Sequence, residues 1–198
     1  DDSYSKERRQ TFKGLAIVKY QMTWLLDRLT SFIPKTWISN SKSIGEHNAK
    51  KLGIRTSKIN VVYRGRNTDS FIQWTAPLNE KFIFICIGRL YEKKGYPELI
   101  EAFAKVSHQH PNLLLHIYGE GDYRKMMEAR LKELQIDDKV VMFGNVPNAW
   151  NQMYNAHCFV FPSRFEGFSG ALVEAMMTGI PIIASDIPMN LEAVEDFN

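Results

Sequence analysis

The sequence predicts an α/β fold built on a parallel sheet with helices on both faces, and three observations carry that prediction. From residue 81 onward, the short apolar runs "FIFICIG", "NLLLHIYG", "KVVMFG", "CFVFPS" and "IPIIAS" recur without polar alternation. Helical stretches separate them: "YPELIEAFAKVS" with Pro97 in its first turn, "DYRKMMEARLKEL", "AWNQMYNA" and the segment around Glu174. Strands that are continuously apolar are those covered on both faces, and their alternation with helices makes the sheet parallel. The chain has 198 residues and is 44% hydrophobic, enough for a sizeable core and a length between one large domain and one and a half ordinary ones.

Before residue 81 the pattern differs. Over residues 5 to 33, Phe12, Leu15, Met22, Leu26, Leu29 and Ile33 recur mostly at three- and four-residue spacing, the apolar stripe of a helix, with Lys19 its one misfit. Arg8, Arg9, Lys13 and Arg28 share the other side, with Trp24 close by. Packing against a domain is the expectation for this stripe, and lying on a membrane surface is the alternative. "TWIS" reads as a short strand, Ser41 as the cap of a helix that Gly53 ends, and "KINVVY" as a further strand. From Arg64 to Glu80 periodicity is lost among Gly65, Asn67, Pro77 and Asn79, as in a connection between two bodies. The expected division is therefore 1–63, a linker at 64–80, and 81–198.

The 25 basic and 22 acidic residues leave a net charge of +3, too small and too evenly spread to argue for nucleic acid. Cys86 and Cys158 fall within apolar strand-like runs and read as reduced core residues of a cytosolic protein. No apolar run reaches the roughly 18 residues of a membrane span, and the start does not read as a signal peptide. The chain starts without methionine and stops after "MNLEAVEDFN", so both ends read as cut from something longer.

In a parallel sheet ligands bind at the carboxyl ends of the strands, where the loops at 88–95, 119–122, 144–147 and 162–169 are expected to converge. Gly88, Arg89, Lys93, Lys94 and Gly95 fit a loop in which cations meet phosphates, and fit equally a solvated basic loop. "GEGD" reads as a tight turn with a structural role, ligand contact being the alternative, and it is not a dinucleotide fingerprint, since no third glycine follows at the required spacing. Ser169 can cap the helix containing Glu174, leaving backbone N–H groups from Ser169 to Leu172 free to receive phosphate, with Gly167 and Gly170 permitting close approach. Glu174 lies one turn further in, among Leu172, Val173, Ala175, Met176 and Met177. A buried carboxylate needs donors, which vicinal ribose hydroxyls would supply; on the solvent side of the helix it would need none. Glu166 lies eight positions earlier, on the order of 12 Å at helical rise, a reach from a ribose across a diphosphate to a sugar.

"FEGFSGALVEAMMTGIPIIAS" resembles the acid, seven residues, acid motif of the family 4 retaining glycosyltransferases, and "GRLYEKKGYPELIEAF" that family's Gly-Arg…Lys-Gly segment. "IYGEGDYRKMMEARLKEL", "VMFGNVPNAWNQMYNAHCFVFPS" and "WISNSKSIGEHNAKKLGI" are also similar, in the family's order, from about residue 36 to 195. The resemblance implies the GT-B architecture of two Rossmann-like domains. Residues 81–198 would then be the nucleotide-sugar-binding C-terminal domain, truncated, and residues 1–63 the tail of the N-terminal acceptor domain. By position, Arg89 and Lys94 would clamp the diphosphate, Glu174 would bond the ribose and Glu166 the donor sugar. Backbone at Gly167, Phe168, Ser169, Gly170, Ala171 and Leu172 would hold sugar and phosphate, and the loop with Gly144 and Val146 would border the base. "YRGRNTDSF" departs from the Asn-Gly pair usual before the linker.

The function implied is transfer of a sugar, with retention, from a nucleotide-diphosphate sugar to a saccharide or lipid-linked acceptor in polysaccharide or glycoconjugate biosynthesis. The 198-residue chain alone is expected to bind donor and transfer nothing, for want of the acceptor side. No cofactor is expected beyond the donor, and no metal, since there is no Asp-x-Asp motif. The expected location is cytoplasmic, with peripheral contact at the cytoplasmic membrane face left open for the full-length protein, and nucleic acid is not an expected partner. A sugar-nucleotide epimerase of GT-B architecture and a non-catalytic nucleotide-binding domain are the rivals.

Overall fold

The computed structural model describes residues 13–195, so Phe12, Arg8 and Arg9 lie outside the described residues. The chain divides into two compact units, the first containing residues up to Arg64 together with 166–168 and the stretch from Leu191, the second Gly65–Phe165 and Ser169–Asn190.

The first unit carries α1 (Leu15–Thr30), β1 (Trp37–Ser39), α2 (Lys42–Leu52) and β2 (Ile59–Val61). β1 and β2 pair in parallel, Trp37 opposite Ile59. α2 begins where Ser41, in extended conformation, accepts a hydrogen bond from the Ile44 N–H, and ends at Gly53 with φ 72°. Both ends follow ordinary capping chemistry. Gly45 seats this helix on the strands: a Cβ there would meet Ser39 and the Ile59 methyl at 3.1 Å. Among the described residues α1 departs from the expected packing, since none of its side chains is buried and Leu15, Met22, Leu26 and Leu29 are exposed.

The second unit is a five-stranded parallel sheet in the order β5-β4-β3-β6-β7, made of β3 (Phe82–Ile87), β4 (Leu113–Tyr118), β5 (Val140–Gly144), β6 (Cys158–Phe161) and β7 (Ile182–Ala184). Neighbouring residues of a strand face opposite sides. Ile85 and Cys86 are 1% and 2% exposed, so β3 is covered on both faces, as are all four residues of β6. This is the physical content of the continuous apolar runs. Helices α3 (Tyr96–Gln109), α4 (Arg124–Glu133), α5 (Gly170–Thr178) and the start of α6 (Pro188–Glu195) complete the unit. α3, with Leu99, Ile100 and Phe103, packs into one core with Leu115, Ile117, Met127 and Leu131. Each such side chain contributes roughly 1.5–3 kcal/mol. Both cysteines are free and buried, and burial pushes the Cys86 thiol up to about 12 against the pull of the Tyr96 hydroxyl and the Lys94 charge.

Two segments carry detail that the sequence pattern does not. "AWNQMYNA" is helical as expected, and the helix over Ala149–Asn155, opened by Asn148 at φ 50°, is of the 3₁₀ kind. The stretch from Phe71 to Pro77 is strapped to the second unit. The Trp74 N–H donates to the Thr178 carbonyl at 2.9 Å, and its indole N–H to the Ala156 carbonyl at 3.0 Å. Phe71 lies on Trp150 with ring centres 4.3 Å apart.

Candidate functional site

The strand order places β3 centrally, with the chain leaving it towards β4 on one side and returning at β6 on the other. The crevice beyond the carboxyl ends at such a reversal is where open parallel sheets bind ligands. Here the loops at those ends are stitched together. The Gly88 N–H donates to the Tyr118 carbonyl, the Leu90 N–H to the Glu120 carbonyl and the Gly119 N–H to the Gly144 carbonyl, at 2.9, 2.9 and 2.7 Å. The Tyr96 hydroxyl donates to the Gly88 carbonyl at 2.9 Å. A register shift between Ile117 and Tyr118 marks a bulge at the end of β4, where Tyr118 stacks on Phe143 with centroids 4.5 Å apart and planes 4° from parallel.

These loops enclose a cavity of about 430 Å³ whose wall includes Gly88, Arg89, Tyr118, Glu120, Asn145 and Val146. Arg89 is the cation of that wall, and its guanidinium lies 5.3 Å from the Tyr91 ring centre. Gly144 borders it through the bond from Gly119. Neither Lys94 nor Glu174 belongs to the wall. Lys94 closes the 3₁₀ turn Glu92–Lys94, half-buried and close enough to Cys86 to act on its thiol. Gly95 follows with φ 74°, and a Cβ on it would stand 1.9 Å from the Pro162 carbonyl oxygen. Only glycine lets the β3 loop lie against the β6 loop this closely, and the Arg164 N–H to Lys93 carbonyl bond at 3.0 Å fixes the same approach.

Ser169 caps α5 as expected, accepting from the Leu172 N–H. That bond consumes one donor of the first turn, so the Leu172 N–H is not free for a ligand, and the Leu172 side chain is fully buried. The N–H groups of Gly170 and Ala171, both half-buried, lie too early in the helix to have an intrahelical acceptor. Glu174 is neither on the solvent side nor without a donor: its side chain is 17% exposed and accepts from Arg66 Nε at 2.7 Å. Glu166, Gly167 and Phe168 group with the first unit; there Glu166 and Phe168 are buried, and Phe168 meets the Tyr63 ring at 4.9 Å.

Sequence reasoning missed Arg66 and Tyr118 and gave Glu120 a structural role in a turn, whereas Asn145 falls in the loop expected to border the base. Glu120 and Tyr118 had a signal in their place at the end of a strand; Arg66 had none, its partner being 108 positions away. Glu120 is ion-paired with Arg124, which also donates to the Met142 carbonyl at 3.1 Å and ties α4 to the end of β5. Among the described residues no group of three His, Cys, Asp or Glu is placed to hold a metal ion, and no helix is long and apolar enough to cross a membrane.

The family model for glycosyl transferases group 1 matches residues 68–198, the sheet and every loop just described. The chain belongs to the group 1 glycosyltransferases. An uncharacterised glycosyltransferase of Methanocaldococcus jannaschii is 32% identical over 114 residues, 58% of this chain and 28% of that one. The O-antigen chain mannosyltransferase of Salmonella typhimurium is 30% identical over 151 residues, 75% of this chain and 41% of that one. Among solved structures, the Anabaena HepE complex with UDP-glucose superposes with a TM-score of 0.76 at 21% identity, covering 87% of this chain and 50% of that one. This group 1 glycosyltransferase chain therefore spans about half or less of the length of these relatives.

Proposed function

We propose that the second unit is the donor side of a retaining glycosyltransferase that takes a sugar from a nucleotide-diphosphate sugar and passes it to a saccharide or lipid-linked acceptor in polysaccharide or glycoconjugate assembly, at the cytoplasmic face. The observation that carries this is the cavity at the carboxyl ends of β3, β4 and β5, with Arg89 in its wall and Val146 beside it. The aromatic pair Tyr118 and Phe143 suits the neighbourhood of a nucleobase. In this reading Arg89 and Lys94 hold the diphosphate, the free N–H groups of Gly170 and Ala171 add hydrogen bonds to phosphate or sugar, and Glu174 accepts from the ribose.

Breaking the bond from the anomeric carbon to phosphate oxygen passes through an oxocarbenium-like state while negative charge grows on the departing diphosphate. Fixed cations and helix N–H groups aimed at that charge lower the barrier without reorganising, and they do so without a metal. The Anabaena neighbour was solved with UDP-glucose, which makes UDP and its sugars the first ligands to try.

Thermal shifts with UDP, GDP, ADP and their sugars test the reading. A ligand at 100 times its Kd adds about 2.7 kcal/mol of stability, and one base should stand out. If none of the diphosphates shifts the transition at millimolar concentration, the donor-site reading is wrong.

A further inference from the structure

We infer that Arg66 is a positioning residue for nucleotide binding, holding the Glu174 carboxylate so that one of its oxygens remains for the ribose. The inference rests on the donor-site reading above and adds a residue that no motif of the sequence assigns. Arg66 reaches Glu174 from the irregular segment that precedes the strap, and the two side chains are 23% and 17% exposed. The bond is single: Arg66 Nε donates to Oε1 at 2.7 Å, while Arg66 Nη1 turns back to the Gly65 carbonyl at 3.2 Å. A guanidinium can engage both oxygens of a carboxylate at once, and here it engages one.

The geometry has two consequences. A half-buried carboxylate among Leu172, Val173 and Ala175 has a cation beside it, which offsets part of the cost of taking both groups out of water. Its rotation is also fixed, because Oε1 is committed to Arg66. Oε2 is then the acceptor presented to vicinal hydroxyls, and the ribose meets an oriented group in place of a mobile one. Arg66 does not touch the nucleotide in this scheme; it acts through Glu174.

The test uses this chain, the diphosphate that stabilises it best among UDP, GDP and ADP, and the matching nucleoside, with affinities measured by calorimetry. Arg66→Met keeps the aliphatic stem and removes the donors, and it should weaken nucleoside and diphosphate by the same factor, about tenfold. Glu174→Gln should weaken both as well. Combining the two should cost less than twofold beyond Glu174→Gln alone, since Arg66 then has no carboxylate to hold. Arg66→Lys, which restores the charge, should recover part of the loss. An unchanged or tighter affinity in Arg66→Met would make the ion pair an obstacle to the ribose and overturn the inference. So would an undiminished loss in the Glu174→Gln background, because Arg66 would then act by another route. If the unsubstituted chain binds no nucleoside diphosphate, the donor-site reading fails and the inference with it. If that chain binds and the variants behave otherwise than stated, only the inference fails.

Discussion

The Glu192 carboxylate sits on the first turn of α2, accepting from the Ser43 N–H at 2.9 Å and from the Ser43 hydroxyl at 2.6 Å. The Lys42 N–H and the Ser41 hydroxyl donate to it as well. Helix N-termini favour negative charge, and these contacts satisfy donors that Ser41 alone could not. Burial works against ionisation of Glu192, yet the bonds from the Ser43 hydroxyl, from the Ser43 and Lys42 backbone and from Tyr63 outweigh it, so its carboxyl lies below the ordinary value. A carboxyl lowered on folding contributes stability that is complete above its unfolded value of about 4.3 and is lost as pH falls through the folded one. Glu192→Ala should therefore cost α2 about 1 to 2 kcal/mol at neutral pH, a five- to thirtyfold faster amide exchange over Ile44 to Ala49. The difference from the unsubstituted chain should shrink as the pH is lowered below the unfolded value. Unchanged protection at neutral pH would show that Ser41 suffices.

Gly95 and Gly88 should respond differently to the same methyl group. At Gly95 alanine meets both a left-handed backbone and the Pro162 carbonyl at 1.9 Å, so the β3 and β6 loops must part. The left-handed conformation alone costs roughly 1–2 kcal/mol, and the overlap adds to it. At Gly88 the new carbon meets only the end of the Tyr96 side chain, at 3.3 Å. Gly95→Ala is expected to lower the melting temperature by several degrees and abolish nucleotide binding, with Gly88→Ala milder on stability. Comparable melting temperatures for Gly95→Ala and the unsubstituted chain would mean that the loops are free to separate.

What could be read from the sequence was local. Ser41, Gly53 and Ser169 announced helix ends because capping depends on one residue and its immediate neighbours. The strands were visible because burial on both faces leaves no polar position to interrupt them. The 3₁₀ helix at Ala149–Asn155 was hidden, since Trp150, Met153 and Tyr154 at three- and four-residue spacing serve either kind of helix. α1 shows the converse: its apolar stripe was legible, but a stripe does not say what covers it. Glu174 posed the right question of where its donors come from. The answer within the chain, Arg66, lay in a stretch with no periodicity at all.

Trp74 is expected to hold the strap in place more than its loop-like sequence suggests. Its backbone and indole N–H bonds reach the ends of two different elements, at Thr178 and Ala156. The Tyr154 hydroxyl adds bonds to the N–H and carbonyl of Ile72, each at 3.0 Å. Trp74→Phe removes only the indole bond and should cost about 1 kcal/mol, while Trp74→Ala also removes the ring and should cost about 3–5. Urea unfolding separates the two. If both variants lose less than a few tenths of a kcal/mol, the strap is not anchored by this residue.

Arg89 and Lys94 should distinguish a nucleoside from its diphosphate. Arg89 belongs to the cavity wall and Lys94 ends the turn before Gly95, so both follow the strand that the sheet order places at its centre. A cation contributes to a diphosphate through a charge-assisted hydrogen bond of roughly 1.5–3 kcal/mol, about one to two decades of affinity, and has nothing comparable to offer the neutral nucleoside. Arg89→Ala and Lys94→Ala are thus each expected to weaken the diphosphate by that factor while leaving the nucleoside within about twofold. Arg66→Met, by contrast, should weaken both alike. Raising the salt concentration should narrow the gap between the unsubstituted chain and the Arg89 variant, because Arg89 is exposed and its charge is screened. Calorimetric titrations of the four chains with both ligands, at low and high salt, give the comparison. Equal losses for nucleoside and diphosphate in Arg89→Ala would mean that the substitution disturbed the loop rather than the charge, and the phosphate assignment would then pass from Arg89 to the remaining donors, Lys94 and the first turn of α5.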